Sequence, residues 1–276
     1  MKKTLIYAAL LAIFVPLFLN APASSKLPEA ARLKNSRPAT SVPDLEAAMH
    51  GTVFDGSHGE IFSPVNNGEL DYSGFYDMLK ASGAQLSINK GPVTTKTLAD
   101  AGTYIIAGPT QKFTHAETGA LHTFINNGGN LLVMLHISSP VAQLTESFGI
   151  LVSNFVISEQ TDLIEGLSQD FYVKRFAPHP VTRGLKKVAV YGTWGLLAQG
   201  AAKEVATTSD KAWADMDRNR KLDEGEPVQK FAIIAVATYG AGKVVVVADD
   251  APFANRFLDE ADNHRLAGNI IEWFGR

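Results

Sequence analysis

The sequence predicts an α/β protein: a mostly parallel β-sheet covered by helices as a three-layer sandwich, with an antiparallel β extension. Three observations predict this class. From residue 51 onward, short apolar runs alternate with stretches of helical spacing, and such strand–helix–strand units form parallel sheets. The runs 131–135 and 243–248 are typical of strands buried on both faces. From 171 to 238, strands follow one another with only turns between them, which favours antiparallel pairing.

The first half of the domain contains two helices with identifiable ends. Apolar residues at helical spacing predict a helix over 72–81, which ends at Ser82 and Gly83. Thr114 begins the second helix as its N-cap, and Glu117, three residues later, completes a capping box. An Asn-Gly-Gly sequence at 127–129 ends this helix. The predicted strands of this half are 52–54, 85–88, 104–107 and 131–135.

The second half is predicted to consist mostly of strands and to close with one helix. A Tyr-Gly-Ala-Gly turn at 239–242 introduces its last strand. The closing helix spans 259–274, and its inner face is expected to carry Leu266, Ile270, Trp273 and Phe274. The predicted strands are 171–176, 187–191, 203–208, 230–238 and 243–248.

Residues 1–23 have the layout of a secretory signal peptide. Lys2 and Lys3 form a basic start, residues 5–19 are almost wholly apolar, and Ala-Pro-Ala at 21–23 is a small-x-small cleavage pattern. The alternative is an uncleaved membrane anchor, although about 15 apolar residues fall short of the roughly 20 that span a bilayer. The protein is therefore expected to be periplasmic or secreted, and to reach a membrane only through this segment if it is not cleaved.

The segment 24–49 is polar, contains three prolines and shows no sustained apolar period. We predict that it is a flexible N-terminal arm, or alternatively a strand or helix lying on the domain surface. The folded domain then comprises residues 50–276, which is long enough to bury a core of its own.

Composition excludes several classes of function. The chain has 276 residues, of which 46% are hydrophobic and 19% charged, as in ordinary globular proteins. A formal charge of −3 argues against a basic nucleic-acid-binding surface. The chain contains no cysteine, which excludes disulfides, thiolate metal sites and every mechanism with a cysteine nucleophile.

Four stretches, taken together with their order along the chain, resemble one group of proteins. The stretch FINNGGNLLVMLH (124–136) resembles the helix, Gly-Gly and buried-strand step of the class I glutamine-amidotransferase-like fold. HPVTRGL (179–185) resembles members of the trehalose-utilisation type. FDGSHGE (54–60) and the C-terminal stretch 244–274 resemble the DUF4350 family and the GldG-type accessory domains of ABC transporters. The resemblance covers 51–276 and implies a flavodoxin-like sheet, but no settled activity.

The sequence departs from the catalytic amidotransferases at the nucleophile. Those enzymes carry a cysteine in the turn after the buried strand, and this chain has His136 at the matching place. Ser138 and Ser139 are nearby hydroxyls, but no G-x-S-x-G elbow surrounds them. Acyl transfer of the amidotransferase type is therefore disfavoured, and whether the protein is an enzyme at all stays open, with a non-catalytic role favoured.

Polar side chains follow three predicted strands at their carboxyl ends, where open parallel sheets bind ligands. If these ends converge, they form a crevice that could hold a divalent cation, since imidazole and carboxylate groups suit zinc, or that could bind a sugar or polyol. The alternative is that each side chain caps a helix or bonds to loop backbone. The candidate ligand-binding residues are Asp55, His58, Glu60, His136, Asp249 and Asp250.

A second candidate site has the spacing of a calcium loop, in which alternate residues supply oxygen ligands to one ion. Position 6 is Arg220, where an EF-hand requires glycine, and flanking helices are not predicted. The loop is therefore either a structural Ca²⁺ site or a solvated acidic turn. The candidate ligands are Asp215, Asp217, Asn219, the Lys221 carbonyl, Asp223 and Glu226.

These observations lead to a first hypothesis of function. The protein is an exported, non-catalytic binding or accessory domain that recognises a small ligand or a partner protein of the cell envelope, with a structural calcium loop. The alternative is a metal-dependent hydrolase acting on a carbohydrate-like substrate through Asp55, His58, His136 and Asp249. A purely structural domain with one bound calcium ion is a third possibility.

Overall fold

The computed structural model describes residues 51–136 and 140–276. The predicted signal peptide (1–23) and arm (24–49), together with Ser138 and Ser139, lie outside the described residues. The helices of the described part are α1 Ser73–Ala81, α2 His115–Asn126, α3 Ala142–Glu146 and α4 Asn263–Phe274, with 3₁₀ turns at Pro180–Thr182 and Ala251–Phe253. The first seven strands are β1 Gly51–Asp55, β2 Gln85–Asn89, β3 Thr103–Ala107, β4 Asn130–Met134, β5 Ile150–Ser158, β6 Leu163–Ile164 and β7 Leu167–Val173. The others are β8 Arg175–Phe176, β9 Val188–Tyr191, β10 Trp194–Ala198, β11 Lys203–Thr207, β12 Trp213–Asp215, β13 Ala232–Tyr239 and β14 Gly242–Val247.

The main sheet has eleven strands in the described part of the chain, and it divides into two halves. One half is parallel and has the order β2-β1-β3-β4-β14. The sheet continues from β14 through β13, β10, β5 and β12, all paired antiparallel, and β11 joins β13 to β8. A separate three-stranded antiparallel sheet has the order β6-β7-β9.

The protein is α/β as predicted, but the prediction of a mostly parallel sheet is wrong. Four pairings of the main sheet are parallel and six are antiparallel, counted over the described residues. The prediction omitted β5, β10 and β12, which make up the far side of the antiparallel half. β5 was missed because its sequence, ILVSNFVIS, contains Ser and Asn and is only partly buried, so it lacks a continuous apolar run.

Local sequence accounts for where the main helices begin. The backbone N–H of Glu117 donates to Thr114 Oγ1 at 3.3 Å, and the N–H of Thr114 donates to Glu117 Oε2 at 2.8 Å, which is the predicted capping box. The last helix begins at Asn263 and not at 259, because the preceding residues form turns. Asp262 Oδ2 there accepts hydrogen bonds from the backbone N–H groups of Lys186 and Lys187 at 2.7 and 3.0 Å.

The core lies on both faces of the parallel half. Every residue of β3 and β4 is buried, and β14 is buried except at Lys243, so both faces of these central strands are covered. The inner face of α4 packs here through Leu266, Ile270 and Trp273, as its spacing predicts. Among the described residues, no helix has the length and apolar character needed to span a bilayer.

Candidate functional site

The predicted site residues lie at the carboxyl edge of the parallel half. Asp55 is the last residue of β1, His136 follows β4, and Asp249 and Asp250 follow β14. The strand order reverses between β1 and β3, because the chain leaves β1 towards β2 on one side and later returns to β3 on the other. Ligand sites of open α/β sheets form at such a reversal, outside the carboxyl ends of the strands.

Five side chains meet at this reversal, and we call them the β1 cluster: Asp55, His58, Glu60, Tyr104 and Glu117. Asp55 Oδ2 lies 2.7 Å from His58 Nδ1. Asp55 Oδ1 accepts hydrogen bonds from Tyr104 Oη at 3.0 Å and from Ser57 Oγ at 2.8 Å. His58 Nε2 lies 3.5 Å from Glu117 Oε2. The short turn after β1 thus folds His58 back onto the strand end.

The His58 ring is held on its face as well as at its nitrogens. It is almost fully buried and stacks on Phe113, with ring centroids 3.6 Å apart and an interplanar angle of 13°. Glu117, which faces its Nε2, is itself fixed by the backbone N–H groups of Val93 at 3.1 Å and of Thr114 at 2.8 Å. The imidazole therefore has one well-defined orientation.

Burial and neighbouring charges shift the pKa values in this cluster. Burial would raise the pKa of Asp55, but the hydrogen bond and charge of His58 outweigh burial and lower it. Burial would lower the pKa of His58, and the hydrogen bond and charge of Asp55 raise it instead. Burial, and then the charge of Asp55, raise the pKa of Glu60 to about 7. The cluster therefore favours an ionised Asp55 beside a protonated His58.

A second group lies at the ends of β4 and β14, and we call it the β4–β14 cluster: Tyr72, His136, Asp249 and Asp250. Asp250 Oδ1 lies 3.0 Å from His136 Nδ1, and Asp250 Oδ2 accepts a hydrogen bond from Tyr72 Oη at 2.6 Å. Asp249 turns the other way, and its two oxygens accept from the backbone N–H groups of Tyr191 at 2.6 Å and of Ala251 at 3.0 Å.

Gly108 allows the β4–β14 cluster to close. A Cβ at Gly108 would lie 2.9 Å from Asp250 Oδ2 and 3.1 Å from His136 Cβ, and the residue has a φ of +60°. Both the close approach and the left-handed backbone favour glycine. The loop after β3 can therefore pass directly against the His136–Asp250 pair.

The electrostatics of this group follow from burial. Burial, and then the charge of Asp250, raise the pKa of Asp249 to about 8. The hydrogen bond from Asp250 raises the pKa of His136 although burial opposes it. The pKa of the Tyr72 hydroxyl is also raised, first by burial and then by the charge of Asp250. Burial therefore favours the neutral, protonated form of Asp249 at pH 7.

The structure divides the six predicted crevice residues between these two groups. Asp55, His58 and Glu60 are together in one, and His136 and Asp250 in the other, while Asp249 faces β9 and the 3₁₀ turn. Sequence reasoning missed Tyr72, Tyr104 and Glu117. The two tyrosines fitted the apolar pattern of a helix and a strand, and Glu117 fitted a capping box, so no separate signal marked them.

The acidic loop begins at Asp215, the last residue of β12. It ends near Val228, which forms an isolated antiparallel bridge with Trp213 at the start of the same strand. One carboxylate oxygen each from Asp215, Asp217 and Glu226 lies within 4.8 Å of the others. Asp215 is fully buried and accepts from the backbone N–H groups of Asn219 at 3.1 Å and Arg220 at 3.0 Å.

The remaining predicted calcium ligands complete the hydrogen bonds within the loop. The side-chain amide of Asn219 donates to Asp217 Oδ2 at 2.9 Å and also to Asp223, and Asn219 Oδ1 accepts from Lys221 N at 2.7 Å. Arg220, at position 6, has a φ of 65°. That is the left-handed conformation for which calcium loops use glycine.

Comparison with known proteins decides the family. The model described as "Domain of unknown function (DUF4350)" matches residues 66–271, well over half of the chain. The chain belongs to the DUF4350 family. The family assignment predicted from the C-terminal stretch is therefore confirmed, whereas the GldG-type assignment stays a prediction.

This DUF4350 chain is similar to two curated proteins. It is 23% identical over 257 residues to mouse "Intraflagellar transport protein 52 homolog", covering 83% of this chain and 56% of that protein. The human protein of the same name is also 23% identical, over 256 residues, with 83% and 55% covered. The DUF4350 chain thus spans about half the length of the curated relatives it matches.

Solved structures show the same fold at low identity. The mmIFT52 N-terminal domain matches with a TM-score of 0.67 at 20% identity, covering 81% of the DUF4350 chain and 96% of that chain. The cytoplasmic protein STM1381 from Salmonella typhimurium matches with a TM-score of 0.54 at 14% identity, covering 82% and 100%. A ThuA-like protein from Bacteroides uniformis is a weaker match, with a TM-score of 0.48, 12% identity, and 87% and 95% covered.

Proposed function

We propose that this protein is an exported, non-catalytic binding or accessory domain. It recognises a small ligand or a partner protein of the cell envelope at the carboxyl edge of its parallel strands, where the sheet is of the flavodoxin-like kind. The chain is delivered by its N-terminal signal peptide, and mass spectrometry of protein recovered from the periplasm or medium should give a mature start near Ser24. A mature protein that retains residues 1–23 would contradict cleavage and favour the anchor.

The observation that carries this proposal is the loop between β1 and α1. It supplies His58 and Glu60 to the β1 cluster, and it also exposes three large apolar side chains: Ile61, Val65 and Leu70 are 55%, 52% and 40% exposed. Phe62, in the same loop, contacts the rings of His136 and Tyr72 with centroids 5.2 and 6.3 Å away. Apolar side chains grouped on one loop beside a site are typical of an interaction surface.

The hydrogen-bond pattern favours binding over hydrolysis. The alternative hydrolase would need Asp55, His58, His136 and Asp249 around one pocket. Instead, both oxygens of Asp249 accept backbone N–H groups, and His136 pairs with Asp250. Asp249 therefore holds loop backbone in place, and the four residues of the hydrolase alternative fall into two groups and not around one pocket.

The relatives support a role in an assembly. The curated proteins that match are named as intraflagellar transport proteins, and a solved N-terminal domain of that name has the same fold. By analogy of fold, we propose that this chain too serves beside other proteins and not as a free enzyme.

Photo-crosslinking in the native cell tests the proposal. A photoreactive residue replacing Val65 should crosslink to a discrete envelope partner, and Ile61→Ser with Leu70→Ser should abolish that band. Leu167, which is 50% exposed on β7, provides the matched control position and should give no such band. Equal crosslinking at both positions, or none at Val65, would refute the partner role. Turnover of glycosides by the purified chain would favour the hydrolase.

We also propose that the acidic loop binds a structural Ca²⁺ ion. Its support is the left-handed φ of Arg220 at position 6, together with the convergence of Asp215, Asp217 and Glu226. Extracellular calcium modules bind at roughly 0.1–1 mM, so millimolar Ca²⁺ should raise the unfolding midpoint above its value in EDTA. Asp217→Asn, at an exposed position, should remove this rise. If the midpoint still rises in the variant, or does not rise in the parent chain, the loop is an acidic turn that binds no calcium and the proposal is refuted.

A further inference from the structure

Asp55, His58 and Glu60 converge at the end of β1. One ligand atom of each lies within 4.8 Å of the other two. We propose that this cluster holds a divalent transition-metal ion of the zinc type, bound by His58 Nδ1, Asp55 Oδ2 and the Glu60 carboxylate. Imidazole and carboxylate donors are the set that zinc accepts, whereas calcium and magnesium take oxygen ligands. The inference rests on the proposed binding function, because it names the small ligand of the same crevice.

Glu60 supplies an unused ligand atom. Its Oε2 accepts a hydrogen bond from the backbone N–H of His58 at 3.0 Å. Its Oε1 is buried and has no hydrogen-bond partner among the described residues. Buried carboxylate oxygens are normally satisfied, and each exception calls for an explanation. A metal ion shared with Asp55 and His58 satisfies this one.

The groups around the three ligands are those of a supported metal site. Metal-bound histidines usually direct their other ring nitrogen at a carboxylate, and His58 Nε2 faces Glu117 at 3.5 Å. Ligating carboxylates are in turn hydrogen-bonded, and Asp55 Oδ1 accepts from Ser57 and Tyr104 while Oδ2 points at His58. His58 Nδ1 and Asp55 Oδ2 face each other across a shared proton, and Nδ1 also lies 3.1 Å from Ser57 Oγ, so an entering metal ion takes the place of that proton.

The geometry requires little rearrangement. His58 Nδ1 and Asp55 Oδ2 are 2.7 Å apart. Two ligands of one tetrahedral zinc ion, each at about 2.0–2.2 Å, lie about 3.3–3.5 Å from each other, so binding separates these atoms by less than about 1 Å. Three protein ligands leave the fourth position for water or for an incoming donor group.

Zinc binding to the mature chain tests the assignment. After EDTA treatment and desalting, calorimetric titration with ZnCl₂ should show one site per chain. Glu60→Gln, at a half-buried position, should weaken zinc binding at least tenfold. Glu117→Gln should weaken it roughly 10- to 100-fold, the usual effect of losing the carboxylate behind a metal-bound histidine. Asp217→Asn, in the other acidic cluster, is the matched control and should leave zinc affinity unchanged.

A spectroscopic measurement on the unmutated chain keeps the test independent of variant folding. X-ray absorption of the zinc-loaded chain should show a nitrogen and oxygen shell with one imidazole. Full zinc affinity in Glu60→Gln, no zinc binding at millimolar concentration, or a shell with two or more imidazoles would each overturn the assignment. If Val65 crosslinks to a partner but the chain binds no zinc, only the metal assignment is refuted. If the chain binds zinc but Val65 gives no crosslink, only the partner role is refuted.

Discussion

Asp249 makes the stability of this domain fall as pH rises. Its carboxyl is buried, and burial with the charge of Asp250 raises its pKa to about 8 in the folded chain. In the unfolded chain the pKa is close to its ordinary value of 3.8. Between these values the folded state holds a proton that the unfolded state has released. The contribution of Asp249 to the free energy of unfolding therefore falls by about 1.4 kcal/mol for each pH unit.

The substitution Asp249→Asn isolates this contribution. Asparagine is neutral at every pH. Folded Asp249 is also neutral at pH values below its pKa, so at those pH values the substitution does not change the charge next to His136 and Asp250. Losing one backbone hydrogen bond should destabilise the variant by about 1–3 kcal/mol, independently of pH. From pH 5 to pH 7 the free energy of unfolding of the parent chain minus that of the variant should fall by about 2.7 kcal/mol, and can change sign, since two pH units are crossed.

Urea unfolding followed by tryptophan fluorescence at pH 5, 6 and 7 measures this difference. Asp210→Asn removes an exposed carboxylate and is the control for the loss of a charge in general. If the curves of the parent chain and Asp249→Asn are parallel from pH 5 to pH 7, Asp249 is ionised in the folded state and the reasoning fails.

Three further substitutions test the backbone arguments by chemical denaturation. Thr114→Ala removes the N-cap that bonds Glu117 and should lower the free energy of unfolding by about 1 kcal/mol; no loss would mean that the cap is dispensable. Gly268→Ala, inside α4 with nothing within 4 Å of the new Cβ, should raise it by roughly 0.5–1 kcal/mol, and a decrease would contradict the open space. Gly242→Ala would place a Cβ 2.1 Å from the Gly129 carbonyl oxygen and should destabilise the fold, so a neutral result would refute that contact.

The parallel half of the sheet could be predicted because its elements are locally encoded. The strands 131–135 and 243–248 are continuous apolar runs. Thr114 and Glu117, three positions apart, mark the start of a helix. The antiparallel half could not be predicted in the same way. β10 contains Gly195 between two buried residues, and β12 has only three residues, so neither shows a period. Their place in the sheet depends on pairing with β5, which is a long-range contact.

The sequence predicted which acidic and histidine residues lie at the site, but it did not predict which of them lie next to one another. The carboxyl-end rule correctly indicated the edge on which Asp55, His136 and Asp250 lie. Which side chains meet there depends on the loops between strand and helix. Tyr72 lies 178 residues from its partner Asp250, and Tyr104 lies 49 from Asp55, so no local spacing could pair them.

The two groups differ in a way that bears on function. In the β4–β14 cluster both oxygens of Asp250 and both oxygens of Asp249 already accept hydrogen bonds. The backbone carbonyl of His136 also accepts from the indole N–H of Trp194 on β10. His136 thus ties β4 to β14 and β10. The β1 cluster instead keeps a buried carboxylate oxygen on Glu60 with no hydrogen-bond partner in the described part of the chain, in a loop that exposes apolar side chains to solvent. Unused ligand capacity lies at the end of β1, and so we expect recognition there and not at His136.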